Sequence, residues 1–339
     1  MSNEKAHIKA ISYYLPEKIF SNEDFFNEFP SALRDKDNLL KIGVQQRHII
    51  DSNDTSSGIA IKCAVKFFSE HSIHPAEIDF LLFCSLELDY YTPATACIIH
   101  EKLNLSKNCG VLDFNHGCSG YVYGLSLAKG LIEGLGLKNV LLITSSSLTK
   151  KIHKKDKSSR FVFGDGAAVT LISSGKTSGI GNFVFGTDGN GAGKIIVKDG
   201  GGKNPITEKS FIETADDFGN ITNDASFYMN GTGVFLFGLK TVPKMVQELL
   251  EKENKTIDEI DIFIFHQANL FLVKTIATKL KIPEKKVFNY MESVGNTVAS
   301  TIPIALKEAI KSGKAKKGDT ILLAGFGVGL SWAATIITL

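Results

Sequence analysis

A cysteine in a glycine-flanked turn is the first residue of this sequence whose surroundings indicate chemistry. Cys118 stands in VLDFNHGCSGYVYGL (residues 111–125), which predicts a short apolar strand, a tight turn and then a helix. A thiol in that turn lies at a helix N-terminus, where unpaired N–H groups and the helix dipole favour the thiolate. The pattern predicts a nucleophile with a lowered pKa, although a small buried core cysteine fits it as well.

Two more polar residues stand at the ends of predicted elements in the second half of the chain. His266 directly follows an apolar run at residues 262–265, in FHQANLFLV, and Asn296 lies in SVGNTVASTIPIAL, in a turn before a helix. Taken singly, they also fit a hydrogen-bonded core histidine and a helix cap. Taken with Cys118, they offer a thiol, an imidazole and an amide to one site.

The composition is that of a globular protein. The chain has 339 residues, 43% hydrophobic and 22% charged, which is long enough for two units with their own cores. A net charge of +2 gives no indication of nucleic-acid binding. Five cysteines without paired spacing argue against a disulfide framework, and neither C-x-x-C nor H-E-x-x-H is present to indicate a metal site. Residues 1–18 carry charges and no apolar h-region, so we predict a cytoplasmic protein without a signal peptide.

The C-terminal residues 320–339 form an uncharged stretch that is long enough to cross a membrane. Gly325, Gly327 and Gly329 alternate in its middle, which disfavours a helix and is typical of a sharp turn between two strands. We therefore predict two buried strands there and no membrane span.

The chain repeats one pattern of strands and helices about 180 residues later. EIDFLLFC at residues 77–84 matches EIDIFIFH at residues 259–266, and VLDF at residues 111–114 matches VFNY at residues 287–290. Continuous apolar strands between helices, such as the helix predicted at residues 57–69, indicate sheets that are covered on both faces. The repeat predicts two copies of one α/β unit.

These copies define two predicted halves. Residues 1–174 carry the cysteine, and residues 175–339 carry the histidine and the asparagine. Strands in equivalent places of two packed halves end near a shared interface, so the repeat gives a physical reason for the three side chains to converge. In the first half, a helix is also predicted at residues 93–103, opened by Pro93 with Thr92 as its N-cap.

Several motifs, in this order, resemble those of the β-ketoacyl-acyl-carrier-protein synthase III family. They are IGVQQRH at residues 42–48, NHGCSG around Cys118, FGDGAA at residues 163–168, HQAN from His266, GNT around Asn296, and GFGVGLSW near the end. The resemblance covers nearly the whole chain. It implies an α/β protein with a thiolase-like layered αβαβα fold built from two duplicated halves.

The resemblance also implies a condensing acyltransferase of fatty acid or related acyl or polyketide biosynthesis. Cys118 takes an acyl group from a thioester, and malonyl on an acyl carrier protein then loses carbon dioxide and attacks the acyl-cysteine. His266, through Nε2–H, and the amide of Asn296 stabilise the enolate oxygen. The backbone N–H groups of Cys118 and Val328 form an oxyanion hole for the tetrahedral intermediate. No bound cofactor is implied; the substrates are acyl-CoA or acyl carrier protein thioesters, and the assembly is a homodimer.

The residues that would bind the thioester carrier depart from the family pattern. Relatives that use coenzyme A typically stack its adenine between an N-terminal tryptophan and an arginine, whereas the only tryptophan here is Trp332 and Lys157 occupies the arginine position. Phe271 stands where a second arginine follows HQAN. We take Asn269, Lys157, Phe271 and Lys41 as candidate substrate- or carrier-binding residues. We expect acyl groups to arrive on a carrier protein rather than on free coenzyme A.

A lysine-rich segment at residues 150–157 has two interpretations. It fits a solvated loop, and it fits a docking surface for an acidic carrier protein or for phosphates. The twenty-three phenylalanines likewise fit either an acyl tunnel or an ordinary core.

Three other functions fit parts of the sequence. One is a condensing enzyme that does not decarboxylate, or an acyltransferase, of the same fold. Non-decarboxylating relatives use a glutamate base at the end of the strand that corresponds to residues 78–84, and Glu87 lies near that place but displaced by a residue. The order Cys, His, Asn also occurs in papain-like proteases, but their C-G-x-C-W signature is missing. A non-catalytic partner subunit of a synthase would usually lose the cysteine.

Overall fold

The computed structural model describes residues 4–177, 179–217 and 219–339. Its strands are β1 (Lys5–Tyr14), β2 (Ile19–Ser21), β3 (Gln46–His48), β4 (Phe80–Cys84), β5 (Gly110–Phe114), β6 (Asn139–Ser146), β7 (Gly166–Gly175), β8 (Ile180–Thr187), β9 (Ile195–Val197), β10 (Thr214–Ala215), β11 (Ile221–Thr222), β12 (Phe227–Met229), β13 (Ile262–Phe265), β14 (Thr320–Gly327) and β15 (Ser331–Thr338). Its α-helices are α1 (Asn22–Glu28), α2 (Lys36–Leu40), α3 (Ser56–His71), α4 (Thr95–Lys102), α5 (Gly120–Leu135), α6 (Lys157–Val162), α7 (Gly231–Lys252), α8 (Leu270–Leu280) and α9 (Thr301–Lys311). Short 3₁₀ helices span Pro30–Asp35, Pro75–Glu77, Leu148–Lys150, Gly189–Lys194, Glu208–Phe211, Ile257–Glu259, Glu284–Lys286 and Val298–Ser300.

Two mixed sheets share one strand order. The first runs β1-β7-β6-β4-β5, with β6, β4 and β5 parallel and β7 antiparallel to both of its neighbours. The second runs β8-β15-β14-β13, with β14 and β13 parallel and β15 antiparallel to both neighbours. A parallel bridge between Phe263 and Val287 adds the counterpart of β5 to the second sheet. The order and the senses of the strands therefore recur, as the sequence repeat predicts.

Helices and sheets alternate in five layers. α5 and α9 pack between the two sheets in one apolar core that draws residues from both. α3 covers the outer face of the first sheet, and α7 and α8 cover the outer face of the second. Each sheet is thus covered on both faces, which explains why the strands read as continuous apolar runs.

Helix starts follow from capping groups, not all of them local in sequence. α3 begins as predicted, because the hydroxyl of Thr55 accepts the N–H of Gly58 at 3.0 Å. α4 begins at Thr95, not at Pro93 as the sequence predicted. The carboxylate of Asp113 in β5 accepts the first two N–H groups of α4 at 2.6 and 2.7 Å, so the cap comes from a neighbouring strand.

The uncharged C-terminal stretch forms the antiparallel pair β14 and β15, which confirms the prediction of two strands. Their alternate side chains fill cores on both faces of the second sheet. Within the residues that the structure describes, we find no helix with the length and apolar character needed to cross a membrane.

Candidate active site

Cys118 lies in the turn between β5 and α5. β5 ends at Phe114 and α5 begins at Gly120, and the cysteine is only 9% exposed. Its sulfur faces the end of β14, where a Cβ placed on Gly327 would lie 2.6 Å from Sγ. The glycine therefore allows the backbone of β14 to approach the nucleophile more closely than any side chain would permit.

Burial raises the pKa of the Cys118 thiol to about 11. The backbone N–H groups of Val328 and Cys118 hydrogen bond to the sulfur and lower that pKa in part. The lowered pKa predicted from the helix N-terminus is therefore wrong, because removal from water favours the neutral thiol by more than the backbone donors favour the thiolate. The same two N–H groups are those that the resemblance implied as an oxyanion hole.

His266 directly follows β13, and its N–H donates to the carbonyl oxygen of Ala324 at 2.8 Å. The side chain is buried, and burial lowers the pKa of its imidazole to about 3, so the ring is neutral at physiological pH. Nδ1 lies 2.7 Å from the hydroxyl oxygen of Thr301, and the ring meets Phe326 edge-on with centroids 5.8 Å apart. These contacts orient the ring and leave Nε2 for substrate chemistry.

Asn296 is held by backbone bonds to the segment before β7. Its N–H donates to Val162 at 2.9 Å and its carbonyl oxygen accepts the N–H of Gly164 at 3.1 Å. Its side-chain oxygen accepts the N–H of Val298 at 2.9 Å, so the N–H groups of the amide are those available to a ligand.

Val298 adopts a left-handed backbone with φ of 55°. For a β-branched residue this conformation costs on the order of 1–3 kcal/mol. It persists next to the site because the surrounding hydrogen bonds and buried packing determine it, and it sets the direction of the N–H that holds Asn296.

Cys118, His266 and Asn296 line one cavity of about 720 Å³, a volume that includes its open mouth. Most of its wall is apolar, including Leu86, Leu148, Phe163, Phe227, Phe235 and Phe326. The structure thus brings together a thiol from the first half of the chain and an imidazole and an amide from the second. Across the described ranges, no three His, Cys, Asp or Glu side chains cluster in a way that could hold a metal ion.

The FGDGAA motif of the first half packs against the segment that carries Asn296. Asp165 is fully buried and accepts the N–H of Ile50 at 2.8 Å and the N–H of Thr149 at 3.1 Å. Burial raises the pKa of its carboxyl to about 6. At the preceding Gly164, a Cβ would lie 2.6 Å from the carbonyl oxygen of Val294. The motif therefore permits and fixes the close packing that presents Asn296.

Two of the predicted binding residues lie at the cavity and its rim. Asn269 lines the cavity and caps α8, accepting the N–H of Leu272 at 2.8 Å. Phe271 is 53% exposed and stacks on Phe235, with ring centroids 5.6 Å apart. Since Phe235 lines the cavity, this stack places an exposed aromatic side chain beside it.

The other two predicted binding residues lie elsewhere. Lys157 is the first residue of α6 and is half-buried. Lys41 is exposed after α2, where its Nζ donates to Asn38 at 2.8 Å. Neither lines the cavity of Cys118.

Glu87 lies beside the site but outside its cavity. One carboxylate oxygen accepts the N–H of Ser147 at 3.1 Å and the hydroxyl of Ser85 at 3.3 Å. The other is buried and has no hydrogen-bond partner among the described residues. Burial raises the pKa of Glu87 to about 7, with a smaller contribution from the charge of Asp165. The residue lines a wider groove that also contains residues 88–91.

Sequence reasoning missed Thr301 and Arg160. Thr301 begins α9 and contacts His266, and only its place five residues after Asn296 could have indicated it. The guanidinium of Arg160 lies 5.1 Å from the ring centre of Phe20 and pairs with Glu28. This arginine lines a pocket separate from the cavity of Cys118.

Comparisons with known proteins agree with these motifs. The profile of the 3-oxoacyl-[acyl-carrier-protein] synthase III C-terminal region matches residues 250–339, and that of 3-oxoacyl-[acyl-carrier-protein] synthase III matches residues 112–189. The β-ketoacyl-[acyl-carrier-protein] synthase III of Coxiella burnetii (strain RSA 493) is 34% identical over 335 residues, covering 98% of this chain and 99% of the relative. That of Clostridium tetani is 32% identical over 346 residues, covering 99% of both.

Solved structures of proteins with the same description are also similar to this chain. A 3-oxoacyl-(acyl-carrier-protein) synthase III matches with a TM-score of 0.96 at 40% identity, over 99% of this chain and 100% of that one. The 3-oxoacyl-(acyl-carrier protein) synthase of Burkholderia xenovorans matches with a TM-score of 0.91 at 31% identity, over 99% and 94%. The priming β-ketosynthase of the R1128 polyketide pathway matches with a TM-score of 0.84 at 25% identity, over 99% and 96%. The chain therefore belongs to the β-ketoacyl-acyl-carrier-protein synthase III family of condensing acyltransferases and has its thiolase-like fold, as its motifs predicted.

Proposed function

We propose that this enzyme forms an acyl-thioester on Cys118 and condenses it with malonyl on an acyl carrier protein. The observation that carries the proposal is the apolar cavity lined by Cys118, His266 and Asn296. The reaction fits fatty acid or related acyl or polyketide biosynthesis, and one similar solved structure is named as the priming β-ketosynthase of a polyketide pathway. We also propose that it works in the cytoplasm.

In the first half-reaction the sulfur of Cys118 attacks the carbonyl carbon of an acyl thioester. The N–H groups of Cys118 and Val328 would stabilise the oxyanion that forms beside the sulfur, and their hydrogen bonds to the resting thiol support this role. Because burial keeps the resting side chain a thiol, this step needs a proton acceptor. The final acceptor of that proton is the leaving thiolate of the acyl donor. His266 lines the same cavity, but burial disfavours the protonated form of its ring.

In the second half-reaction, malonyl loses carbon dioxide and its enolate attacks the acyl-cysteine. The amide of Asn296 supports the enolate oxygen, because Val298 holds its other end. No carboxylate base is required, since loss of carbon dioxide leaves the carbanion. Nε2 of His266 donates or accepts a hydrogen bond here according to which ring nitrogen carries the proton.

A non-decarboxylating condensation is the alternative, because Glu87 is a buried carboxyl whose pKa is raised to about 7. Its position favours decarboxylation instead, since it lines the neighbouring groove and not the cavity of Cys118. Release of labelled carbon dioxide from carboxyl-labelled malonyl carrier protein, in step with product, distinguishes the two. Product without carbon dioxide would favour the alternative.

We further propose that a carrier protein delivers the acyl group more efficiently than free coenzyme A. Lys157, which replaces the adenine-stacking arginine, lies away from the cavity, and Phe271 gives its rim an aromatic rather than a cationic side chain. The lysine-rich segment offers less free charge than its sequence suggested, because Lys150 bonds to the carbonyl oxygen of Ser52 and Lys155 pairs with Glu213. Carrier docking would therefore combine charge with contact at the aromatic rim.

We also propose that the enzyme is a homodimer. Each protomer consists of two halves, residues 1–174 and residues 175–339. The first sheet runs from β1 to β7 and the second starts with β8, which supports that division. β5 is an edge strand whose Leu112 is 44% exposed, and Tyr91 in the neighbouring loop is 81% exposed. An exposed apolar edge of this kind favours pairing with a second copy.

Intact-protein mass spectrometry tests the proposed function. A panel of acyl-CoAs and acyl carrier proteins should add one acyl mass to the wild type and none to Cys118→Ala. An acyl mass on any of the other four cysteines in Cys118→Ala would overturn the assignment.

A further inference from the structure

The oxyanion hole proposed for self-acylation draws one N–H group from each half of the chain. Cys118 lies in the turn after β5, and Val328 directly follows β14. Both N–H groups hydrogen bond to the sulfur of Cys118. Such a hole depends on the distance between the two segments, because a shift of about 1 Å in a catalytic group can cost on the order of 10²-fold in rate.

Two serine hydroxyls join these segments. Ser331, the first residue of β15, donates to the carbonyl oxygen of Val328 at 2.8 Å. Its Oγ also lies 2.8 Å from Oγ of Ser119, the residue that follows Cys118. A serine hydroxyl has one proton, and that of Ser331 is used on Val328, so Ser119 is the donor in the bond between the two serines. The bonds therefore run from the cysteine turn of the first half to Val328 in the second.

The two serines lie in a closely packed place. Ser119 is 0% exposed and Ser331 is 2% exposed, so water has little access to compete for their hydrogen bonds. A Cβ placed on Gly325 would lie 2.8 Å from Cα of Ser119 and 2.9 Å from the carbonyl oxygen of Cys118, so β14 packs directly on the cysteine turn. Nδ1 of His116 lies 3.4 Å from Oγ of Ser119 and adds a contact at the first-half end.

We propose that Ser119 and Ser331 are positioning residues that hold the N–H group of Val328 in the oxyanion hole beside Cys118. This inference rests on the proposed function and adds to it. In self-acylation the sulfur forms a bond to the thioester carbonyl carbon, and the carbonyl oxygen takes up the electron pair. The oxyanion then collapses as the thioester C–S bond breaks, and the leaving thiolate receives the proton of Cys118. Neither serine lines the cavity, so both act through Val328.

The two serines should serve acylation more than decarboxylation. Decarboxylation of malonyl carrier protein by the unacylated enzyme requires an enolate donor, the role proposed for the amide of Asn296. That residue is held separately, by the N–H of Val298 on its side chain and by Val162 and Gly164 on its backbone. A defect confined to the position of Val328 should therefore separate the two half-reactions.

The first test measures both half-reactions in the full-length enzyme. Ser331→Ala should slow acyl-Cys118 formation about tenfold or more and decarboxylation less than about threefold, because a displaced oxyanion donor loses part of the roughly 10²–10³-fold that a whole donor contributes. Ser331→Thr retains the hydroxyl and should keep both rates near those of the wild type. Ser56→Ala is the matched control, since it removes half of another buried serine pair, 2.9 Å from Ser85, and should change neither step. Equal loss of both steps in Ser331→Ala, or no loss in acylation, would overturn the proposal.

A double-mutant cycle tests whether the serines act together. Ser119→Ala should slow acylation by less than Ser331→Ala does, because Ser331 still bonds to Val328. The double variant should be no slower than Ser331→Ala alone, since both changes act through one contact. Losses that multiply would overturn the shared role. If Ser331→Ala does not fold, as shown by its thermal unfolding, an unchanged acylation rate in Ser119→Ala would overturn the proposal.

Alkylation gives a readout that does not depend on the proposed function. The N–H of Val328 favours the thiolate, so Ser331→Ala should slow the reaction of Cys118 with iodoacetamide several-fold at about pH 8. Ser331→Thr and Ser56→Ala should react like the wild type, and the exposed Cys97 is the internal reference. An unchanged rate in Ser331→Ala would overturn the proposal. If the wild type forms no acyl-cysteine, the proposed function fails, and the alkylation rates still decide whether the serines position Val328.

Discussion

At the scale of single residues, burial is the dominant effect in this site. It raises the pKa of Cys118 to about 11 and lowers that of His266 to about 3, so both are neutral at physiological pH. The resting pair is a thiol and an imidazole, not an ion pair. Nucleophilicity must therefore arise as the substrate binds and the proton moves.

This pairing predicts a pH dependence for a reagent that reacts only with the thiolate. Alkylation of Cys118 by iodoacetamide should keep rising, roughly tenfold per pH unit, from about pH 7 to about pH 9, because the thiolate fraction grows until the pH reaches the pKa. Peptide mass spectrometry separates this from the reaction of Cys97, which is exposed. A plateau below about pH 8 would mean that the thiol is not stabilised by burial.

Asn296 gives a second prediction at this scale. Asn296→Ala should lower malonyl decarboxylation on the order of 10²–10³-fold, as loss of one oxyanion donor typically does. Acyl-Cys118 formation should change by less than about tenfold, since the backbone N–H groups of Val328 and Cys118 remain. The two half-reactions are measured separately with acyl donor and with malonyl carrier protein. An equal loss in both would contradict the division of roles.

At the scale of elements, the backbone of β14 lies so close to Cys118 that only glycine fits at position 327. Gly327→Ala should abolish acylation, because its Cβ would lie 2.6 Å from Sγ of Cys118, and either β14 or the nucleophile must move. Gly130→Ala in α5 is the matched control: an added Cβ meets nothing within 4 Å there. It should raise the free energy of unfolding by about 0.4–1 kcal/mol and leave activity unchanged. Full activity in Gly327→Ala would contradict the geometry.

Elements with local signals were predictable from the sequence. α3 starts at Ser56, one residue from its predicted start, and the alternating glycines marked the turn between β14 and β15. The start of α4 was missed, since its cap is Asp113 on another strand. The pKa of Cys118 was missed for a related reason, because burial depends on distant elements that fold over the site. Thr301 was missed because a hydroxyl at a helix start has many ordinary roles.

At the scale of the whole molecule, the internal repeat explains the site. Two sheets of the same strand order face each other across α5 and α9, which brings Cys118 together with His266 and Asn296. Motif order in the sequence was enough to predict this convergence and the family. The positions of residues outside the motifs, such as Lys157, could be determined only from the structure.

The exposed edge of the first sheet predicts a homodimer. Light scattering at micromolar concentration should give the mass of two chains, and Leu112→Lys should shift it toward one chain by placing a charge on the edge strand. Val65→Lys, on a side chain that is 57% exposed in α3, is the control and should leave the mass unchanged. A fully active wild-type monomer would refute the dimer.

The most direct test of the account is a two-step mass measurement on one sample. The enzyme is first acylated, the intact mass is recorded, and malonyl carrier protein labelled in its free carboxyl is then added. We predict one acyl group on Cys118 that disappears as labelled carbon dioxide and β-ketoacyl carrier protein appear in equal amounts, with no acyl group on Cys118→Ala. An acyl group that persists on the wild type, or product formed without release of the label, would contradict the account.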